Sequence, residues 1–362
     1  MQTITSENYN VYIGKDVFNQ INDYLAHNIY SKIFILVDEN TMNFCLPELI
    51  SRVEKFKKAE IIETESGEEN KTIDICIQMW KALTELKADR KSLIVNLGGG
   101  VLSDLGGFTG STFKRGLHYI NIPTTLLAQV DASIGGKTGI DLDNLKNQVG
   151  LFSNPKAVFI YPPFLNTLSK KQILSGFAEV IKHSLIADKN YWELIKEFKP
   201  ANPDWENIIC SSVEIKNKIV SQDPEEKNLR KSLNFGHTIG HAFETYFMEL
   251  GEHSLLHGEA VAAGMFCEAF LSYKIAGLEH TKLDDICEFL LKMYKPIPFS
   301  PSQTDRLIEI MQQDKKNENG NILFTLISNI GCAVINKKCS ADLICKSLQF
   351  YQMRTSMIAS DF

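Results

Sequence analysis

The sequence predicts an α/β domain built on a parallel sheet, followed by a mostly helical domain. Three observations carry that reading. Apolar strand-like runs alternate with helical patterns through the first half. One of those runs, residues 93–97, drives straight into Gly98-Gly99-Gly100. Beyond Pro162-Pro163 the strand signals give way to helical ones. Strand–helix alternation implies a parallel sheet with helices on both faces and a ligand at the carboxyl ends of the strands.

Taken in order, residues 32–37 form a buried strand ending at Asp38. In residues 73–86 a helical period places Ile73, Ile77, Trp80 and Leu83 on one face. The stretch 92–143 is the most informative. After the strand and its three glycines comes a helix of small residues, then a strand ending at Pro123-Thr124-Thr125, then Gly135-Gly136-Lys137. Backbone free of side chains lets amide N–H groups approach phosphate, and the following helix N-terminus adds its dipole. The segment reads as a nucleotide site with a substrate-phosphate site beside it. Residues 158–161 are a further strand, and the domain boundary falls at 163–170. Helices are expected over 177–187, 208–220, 238–248 and 259–275, with a short strand pair at 322–327 and 332–335. Residues 355–362 are expected to be a loose tail.

The gross numbers fit a soluble globular protein. A chain of 362 residues holds two domains, and 44% hydrophobic with 23% charged residues is ordinary. A net charge of -6 argues against a general nucleic-acid binder. The start lacks the basic and apolar regions of a secretory signal, and no apolar run is long enough to span a bilayer. Eight scattered cysteines without a CxxC pair are expected to be buried free thiols in a reducing cytosol.

Four of the eight histidines fall between His237 and His257. The run Asn234-Phe235-Gly236-His237-Thr238-Ile239-Gly240-His241 opens a helix with two histidines at i and i+4. That spacing stacks both imidazoles on one face, and by itself selects His237 and His241 as a ligand pair. His257-Gly258-Glu259 starts the next apolar helix. Ala178-Glu179-Val180-Ile181-Lys182-His183 sets a carboxylate one turn before a lysine and a histidine. Singly, each histidine reads as a satisfied structural residue, and Glu179 as a solvated or ion-paired one; the clustering favours a site. Lys114, Arg115, Lys137, Lys146, Lys182, Lys216, Arg230, Lys315 and Lys316 read either as surface charge or as contacts to an anion. Lys137 after two glycines and Arg115 just before a strand suit the anion, and Arg230 lies four residues before Asn234.

At these residues the chain resembles the 3-dehydroquinate synthases. The likeness runs through Asp38, Glu68-Glu69-Asn70-Lys71, Gly98-Gly99-Gly100-Val101-Leu102-Ser103-Asp104 and Ile122-Pro123-Thr124-Thr125-Leu126-Leu127-Ala128. It continues through Val130-Asp131-Ala132-Ser133-Ile134-Gly135-Gly136-Lys137-Thr138, Lys146-Asn147, Ala178-Glu179-Val180-Ile181-Lys182, Leu229-Arg230, residues 233–241 and His257-Gly258-Glu259, to Asp314-Lys315-Lys316. Each motif alone is weak; in this order, over most of the chain, they are specific. Ser103 stands where the family usually has glycine, and Leu105-Gly106-Gly107 and residues 140–145 are unusual spacers.

The resemblance implies a Rossmann-like NAD-binding domain over 1–168 and a helical metal- and substrate-binding domain over 169–362. It implies a divalent metal, zinc or cobalt, on Glu179, His237 and His257, with His241 acting on the substrate instead. Three ligands agree with a catalytic metal's need for open positions. NAD contacts map onto Asp38, Glu68, Lys71, Gly99, Gly100, Val101, Asp104, Thr124, Thr125, Lys146 and Thr167. Substrate contacts map onto Asp131, Lys137, Asn147, Lys182, Lys216, Arg230, Asn234, His241 and Lys315 or Lys316. Arg115 matches a residue that reaches the phosphate from the neighbouring subunit, which implies a homodimer. The implied substrate is 3-deoxy-D-arabino-heptulosonate 7-phosphate, a small sugar phosphate. The implied chemistry is transient oxidation at C5 by NAD, β-elimination of phosphate, re-reduction and an intramolecular aldol closure to 3-dehydroquinate, in the cytoplasm. Three alternatives are weighed: a sister cyclase acting on a sugar phosphate without the carboxylate, an NAD- and metal-dependent alcohol dehydrogenase, and a non-enzymatic metal or nucleotide sensor, which the full set of candidate ligands, cations and cofactor residues disfavours.

Overall fold

In the computed structural model the residues described are 1–142, 145–198, 203–251, 255–312 and 322–359. The chain divides into two compact units, Met1–Ile173 with Asp204–Ser221, and Leu174–Pro203 with Gln222–Phe362.

The first unit carries strands β1 (Gln2–Thr5), β2 (Asn10–Ile13), β3 (Ile33–Asp38), β4 (Glu60–Thr64), β5 (Leu93–Gly98), β6 (His118–Pro123), β7 (Lys137–Leu142), β8 (Leu145–Phe152) and β9 (Ala157–Ile160). Its helices are α1 (Val17–His27), α2 (Glu39–Phe44), α3 (Leu46–Arg52), α4 (Ile73–Glu85) and α5 (Gly100–Thr112). Seven strands form one sheet in the order β1-β2-β9-β6-β5-β3-β4, parallel except for the β1–β2 pair, and β7 and β8 make a separate antiparallel pair. The period-2 alternation of strand side chains explains why the strands read as continuous apolar runs. On β3, Ile35 and Val37 face a core shared with Phe18 and Leu49, whereas Phe34 and Leu36 face one shared with Met79 and Phe108. Helices thus cover both faces of β3.

The second unit takes most of α6 (Lys170–Ala187), then α7 (Lys189–Lys196). The next helix, α8 (Trp205–Gln222), groups with the first unit. Long-range contacts to the start of the chain place it there. Asn217 Nδ2 donates to the Thr5 carbonyl at 3.0 Å, Cys210 Sγ meets Gln2 Oε1, and the Met1 ammonium lies 3.9 Å from Glu206. The helix lies along edge strand β1. The division into units falls at Ile173/Leu174, inside α6, and 204–221 groups with the sheet.

The remaining elements are α9 (His237–Leu250), α10 (His257–Ile275), α11 (His280–Met293), α12 (Thr304–Gln312), strands β10 (Leu323–Asn329) and β11 (Cys332–Lys338), and α13 (Ala341–Ala359). Apolar nearly all round, α10 is buried between α9, α11, α13 and β10.

Three expectations are corrected. On α4 the buried face is Cys76, Met79 and Leu83, while Ile73 and Ile77 are exposed. The 3.6-residue period was right but its phase was set by the bulkier residues rather than by those meeting the sheet. Of the expected tail 355–362, residues 355–359 continue α13, and 360–362 lie outside the described residues. Cys332 is exposed and Cys339 and Cys345 only partly covered, so not all the free thiols are buried. Among the described residues no helix is long and apolar enough to cross a membrane.

Candidate functional site

The first unit offers a ligand crevice by topology. The chain leaves β3 for β4 on one side and returns through α4 to β5 on the other. The carboxyl ends of β3 and β5 therefore flank a switch point, where open α/β sheets bind ligands. Asp38 ends β3 and caps α2, its Oδ1 accepting from Thr41 N at 2.7 Å and Thr41 Oγ1 at 2.9 Å. Gly98 ends β5; Gly99 is the N-cap of α5, which Gly100 and Val101 open, in the first turn where N–H groups have no partner within the helix. Thr124 N donates to the Gly98 carbonyl at 3.0 Å, and Thr125 Oγ1 accepts from Ala128 N at 3.2 Å, which brings the end of β6 alongside.

Around Lys71 the fold gathers several expected residues. Its ammonium donates to Asp104 Oδ2 at 2.7 Å and Asn147 Oδ1 at 2.6 Å, and lies 3.5 Å from Glu68 Oε1. Lys146 Nζ is 3.9 Å from the same Glu68 oxygen. Burial works against a charge on Lys71, but the Asp104 and Glu68 carboxylates outweigh it and raise its pKa. Burial also pushes the Asp104 carboxyl up, opposed by the Lys71 ammonium 2.7 Å away. Asn147 N–H donates to Asp141 Oδ1 at 2.6 Å, and Asp141 N–H to the Lys71 carbonyl at 2.8 Å, closing the cluster.

Asp131 sits in the π-helical turn Ala128–Ala132. That turn hangs from the sheet through a polar ladder: Asn96 Nδ2 donates to its cross-strand partner Asn121 at 2.9 Å, and Asn121 Nδ2 to the Ser133 carbonyl at 3.0 Å. Lys216 on α8 then donates to the Asp131 carbonyl at 2.7 Å and pairs with its carboxylate at 2.8 Å. Lys137 opens β7 and is exposed. Arg115, at φ 71°, and Thr167 are exposed, and among the described residues neither bonds to these clusters. Lys315, like Lys316, lies outside the described residues.

The second unit builds a metal-type cluster from three helices. Glu179, fully buried on α6, turns Oε1 toward two imidazoles: His237 Nε2 at 3.5 Å and His257 Nε2 at 3.3 Å. Its Oε2 pairs with buried Lys182 one turn on. His237 Nδ1 lies 3.2 Å from the Phe235 carbonyl, which fixes the tautomer with Nε2 facing Glu179. Burial first, then Lys182, holds His237 well below the ordinary histidine value, so it stands neutral. His257 differs. Burial disfavours its charge, but Glu244 and Glu179 outweigh that and push its imidazole up to about 10. Ligand atoms of Glu179, His237 and His257 lie within 4.8 Å of one another. The i,i+4 neighbour His241 is set aside from that trio, its Nε2 3.9 Å from Glu244. Of the other expected residues, Arg230 is buried with its guanidinium on the Pro224 carbonyl at 2.5 Å, and Asn234 Nδ2 donates to Glu226 at 2.9 Å.

Close helix crossings make this convergence possible. Gly236, at φ 81°, adopts a left-handed conformation that suits glycine and turns the chain into α9. Buried Glu268 of α10 accepts from Gly236 N at 2.6 Å and Ile239 N at 3.1 Å, satisfying the first turn of α9 where His237 sits. A Cβ on Gly264 would overlap the Gly236 carbonyl oxygen, and one on Gly258 the Ser175 carbonyl oxygen of α6.

Comparison with known proteins now decides the family. Residues 61–175 match the family model described as 3-dehydroquinate synthase N-terminal, and residues 176–317 the one described as 3-dehydroquinate synthase C-terminal. The chain belongs to the 3-dehydroquinate synthase family. It is 46% identical over 346 residues to a 3-dehydroquinate synthase of Parabacteroides distasonis, covering 94% of this chain and 97% of that protein. The fold is shared with a solved 2-deoxy-scyllo-inosose synthase (TM-score 0.83, 24% identity, 95% of this chain and 98% of that one). It is shared equally with a 2-epi-5-epi-valiolone synthase of Streptomyces hygroscopicus (TM-score 0.83, 22% identity, 98% and 99%).

Around the 3-dehydroquinate synthase motifs, sequence reasoning missed Glu244, Glu226, Asp223 and Glu268. Glu244 was findable: it stands seven residues after His237 and three after His241, on the same helical face. Asp223 accepts from the Lys227, Asn228 and Arg230 N–H groups at 2.7–3.0 Å, a local turn, whereas Glu268 acts on backbone that only the fold brings near. The Gly258 contact gives an expected result. Gly258→Ala forces α10 away from α6, destabilises the protein by about 2 kcal/mol or more, and weakens metal binding through the adjacent His257. Urea denaturation and a zinc titration check it; unchanged values for both would show that the crossing relaxes freely.

Proposed function

We propose that this chain catalyses the 3-dehydroquinate synthase reaction, converting 3-deoxy-D-arabino-heptulosonate 7-phosphate to 3-dehydroquinate with loss of phosphate. One observation carries the reading beyond family membership. The residues matching the family's ligands, Glu179, His237 and His257, come from three separate helices and converge with their ligand atoms within 4.8 Å.

The donor set fits zinc or cobalt: two imidazoles and one carboxylate, with positions left for substrate oxygens. The first unit fits NAD at the β3–β5 switch point, with Asp38 for a ribose hydroxyl and the Gly99-Gly100-Val101 amides for the pyrophosphate. The two solved neighbours were crystallised with NAD+ and Co2+, and with NAD+ and Zn2+, which supports both assignments. When bound, NAD accepts and returns a hydride and the cation polarises a substrate hydroxyl.

The chain's own residues do the rest. We assign Glu68, Lys71, Asp104, Thr124, Thr125, Lys146 and Thr167 to the cofactor. Lys137, Lys182 and Arg230 neutralise the phosphate and carboxylate of the substrate. Asp131, Asn147 and Asn234 orient its hydroxyls, with Lys216 fixing Asp131 and Lys315 completing the set. His241, a third exposed beside Glu244, moves protons. Positioning of this kind lowers the barrier by holding reacting groups in place.

We further propose a cytoplasmic homodimer in which Arg115 serves the neighbouring subunit. The exposed Arg115 supports this, as do the exposed apolar residues Val149, Leu151 and Phe152 on β8, a surface suited to a second copy. Eight free cysteines agree with a reducing compartment.

Lys137→Ala is expected to lower turnover by about 100-fold or more, as loss of one charge-stabilising group does, while metal content stays at the wild-type level. Full activity in that variant would place Lys137 outside the site.

A further inference from the structure

We propose that Glu244 is a positioning residue for the metal centre, holding His257 by its Nδ1–H so that Nε2 is presented to the ion. The inference rests on the metal reading above and adds a residue to it.

The His257 ring lies between two carboxylates. Its Nε2 is 3.3 Å from Glu179 Oε1, inside the ligand trio, and its Nδ1 is 3.3 Å from Glu244 Oε1. A neutral imidazole carries one proton. If Glu244 accepts that proton's hydrogen bond at Nδ1, the lone pair falls on Nε2, on the side of Glu179 and His237. The other ligand histidine uses the same arrangement with a weaker acceptor: His237 Nδ1 lies 3.2 Å from the Phe235 carbonyl. A carboxylate acceptor makes the imidazole a stronger donor to the metal than a backbone carbonyl does. His257 is the first residue of α10, with no preceding helical turn to confine its ring, so a side-chain partner is the means of orienting it.

Glu244 is itself only 3% exposed. A carboxylate so deeply placed is costly without compensating partners. Its other oxygen lies 3.9 Å from His241 Nε2. One carboxylate on α9 thus faces both the ligand histidine and the histidine assigned to proton transfer, and Glu244→Gln should disturb the two together.

Glu244→Gln keeps the shape and removes the charge. Zinc affinity is measured by competition with a chromophoric chelator, and the cobalt-substituted protein by its visible absorption. The expected result is a loss of about 10–100-fold in zinc affinity, shifted cobalt bands, and a far-ultraviolet circular dichroism spectrum like the wild type's. Unchanged affinity and bands overturn the proposal. So does a wild-type stoichiometry of two ions with the second lost in the variant, because His241, Glu244 and His257 also have ligand atoms within 4.8 Å and Glu244 would then be a ligand. If the variant does not fold, the nitrogen-15 resonances of His257 in zinc-loaded wild type decide. An Nδ1–H, Nε2-metallated ring supports the proposal and an Nε2–H ring overturns it. Failure of the metal reading itself shows differently, as wild-type protein that takes up no zinc.

Discussion

His257→Ala strips the metal from the protein and lowers turnover by at least about a thousand-fold, since a Lewis-acid metal supplies several kcal/mol of the rate enhancement and each ~1.4 kcal/mol is tenfold. With three protein ligands, losing one leaves Glu179 and His237, an incomplete set for zinc or cobalt. His241→Ala is the informative contrast. Its imidazole lies outside the Glu179 trio and near Glu244, so that variant keeps its metal and loses turnover. Elemental analysis after dialysis, paired with an activity assay, separates the two. Full metal content in His257→Ala would remove it from the ligand set. Loss of metal in His241→Ala would restore the pair that helical spacing alone selects.

Lys71→Met destabilises the cofactor-free protein by about 3 kcal/mol, the low end of the ~3–5 kcal/mol for breaking a buried ion pair. The lysine side chain is 4% exposed and Asp104 20%, so solvent softens the loss on the carboxylate side. The cost comes mainly from Asp104 and Asn147 losing their shared donor. The double variant Lys71→Met/Asp104→Leu removes the stranded charge and recovers part of that stability. Urea denaturation without NAD isolates the effect from cofactor binding. A loss below about 0.5 kcal/mol, the scale of an ordinary surface substitution, would show that the cluster is loosely held and water-screened.

The glycine-rich strand ends and the alternation of the first half were legible because backbone requirements act locally. The strand before Gly98, the small-residue helix after it and the strand ending at Pro123 all lie where the pattern places them. The exposure of Ile73 and Ile77 was not legible, since nothing local sets which apolar stripe of α4 meets the sheet. Nor was the assignment of α8 to the first unit, which depends on hydrogen bonds to residues 2 and 5, some two hundred positions earlier in the chain. At the metal cluster, spacing found His237 and His241 because both lie on one helix. The partners that matter for the trio, Glu179 and His257, come from other helices and were reached through the family likeness. Glu268 left no trace in the pattern, because its partners are N–H groups of a different helix.

The most direct test is phosphate release from 3-deoxy-D-arabino-heptulosonate 7-phosphate by the metal-loaded protein with catalytic NAD, followed at 340 nm and coupled to a dehydroquinase. Steady phosphate release with 3-dehydroquinate formation and no accumulation of NADH is the expected result, because the hydride taken at C5 returns to the same carbon. NADH accumulating in step with substrate loss would make the protein a dehydrogenase. Absence of phosphate release from this substrate, with turnover of glucose 6-phosphate or sedoheptulose 7-phosphate, would contradict the assignment of Arg230 and Lys315 to a carboxylate-bearing substrate.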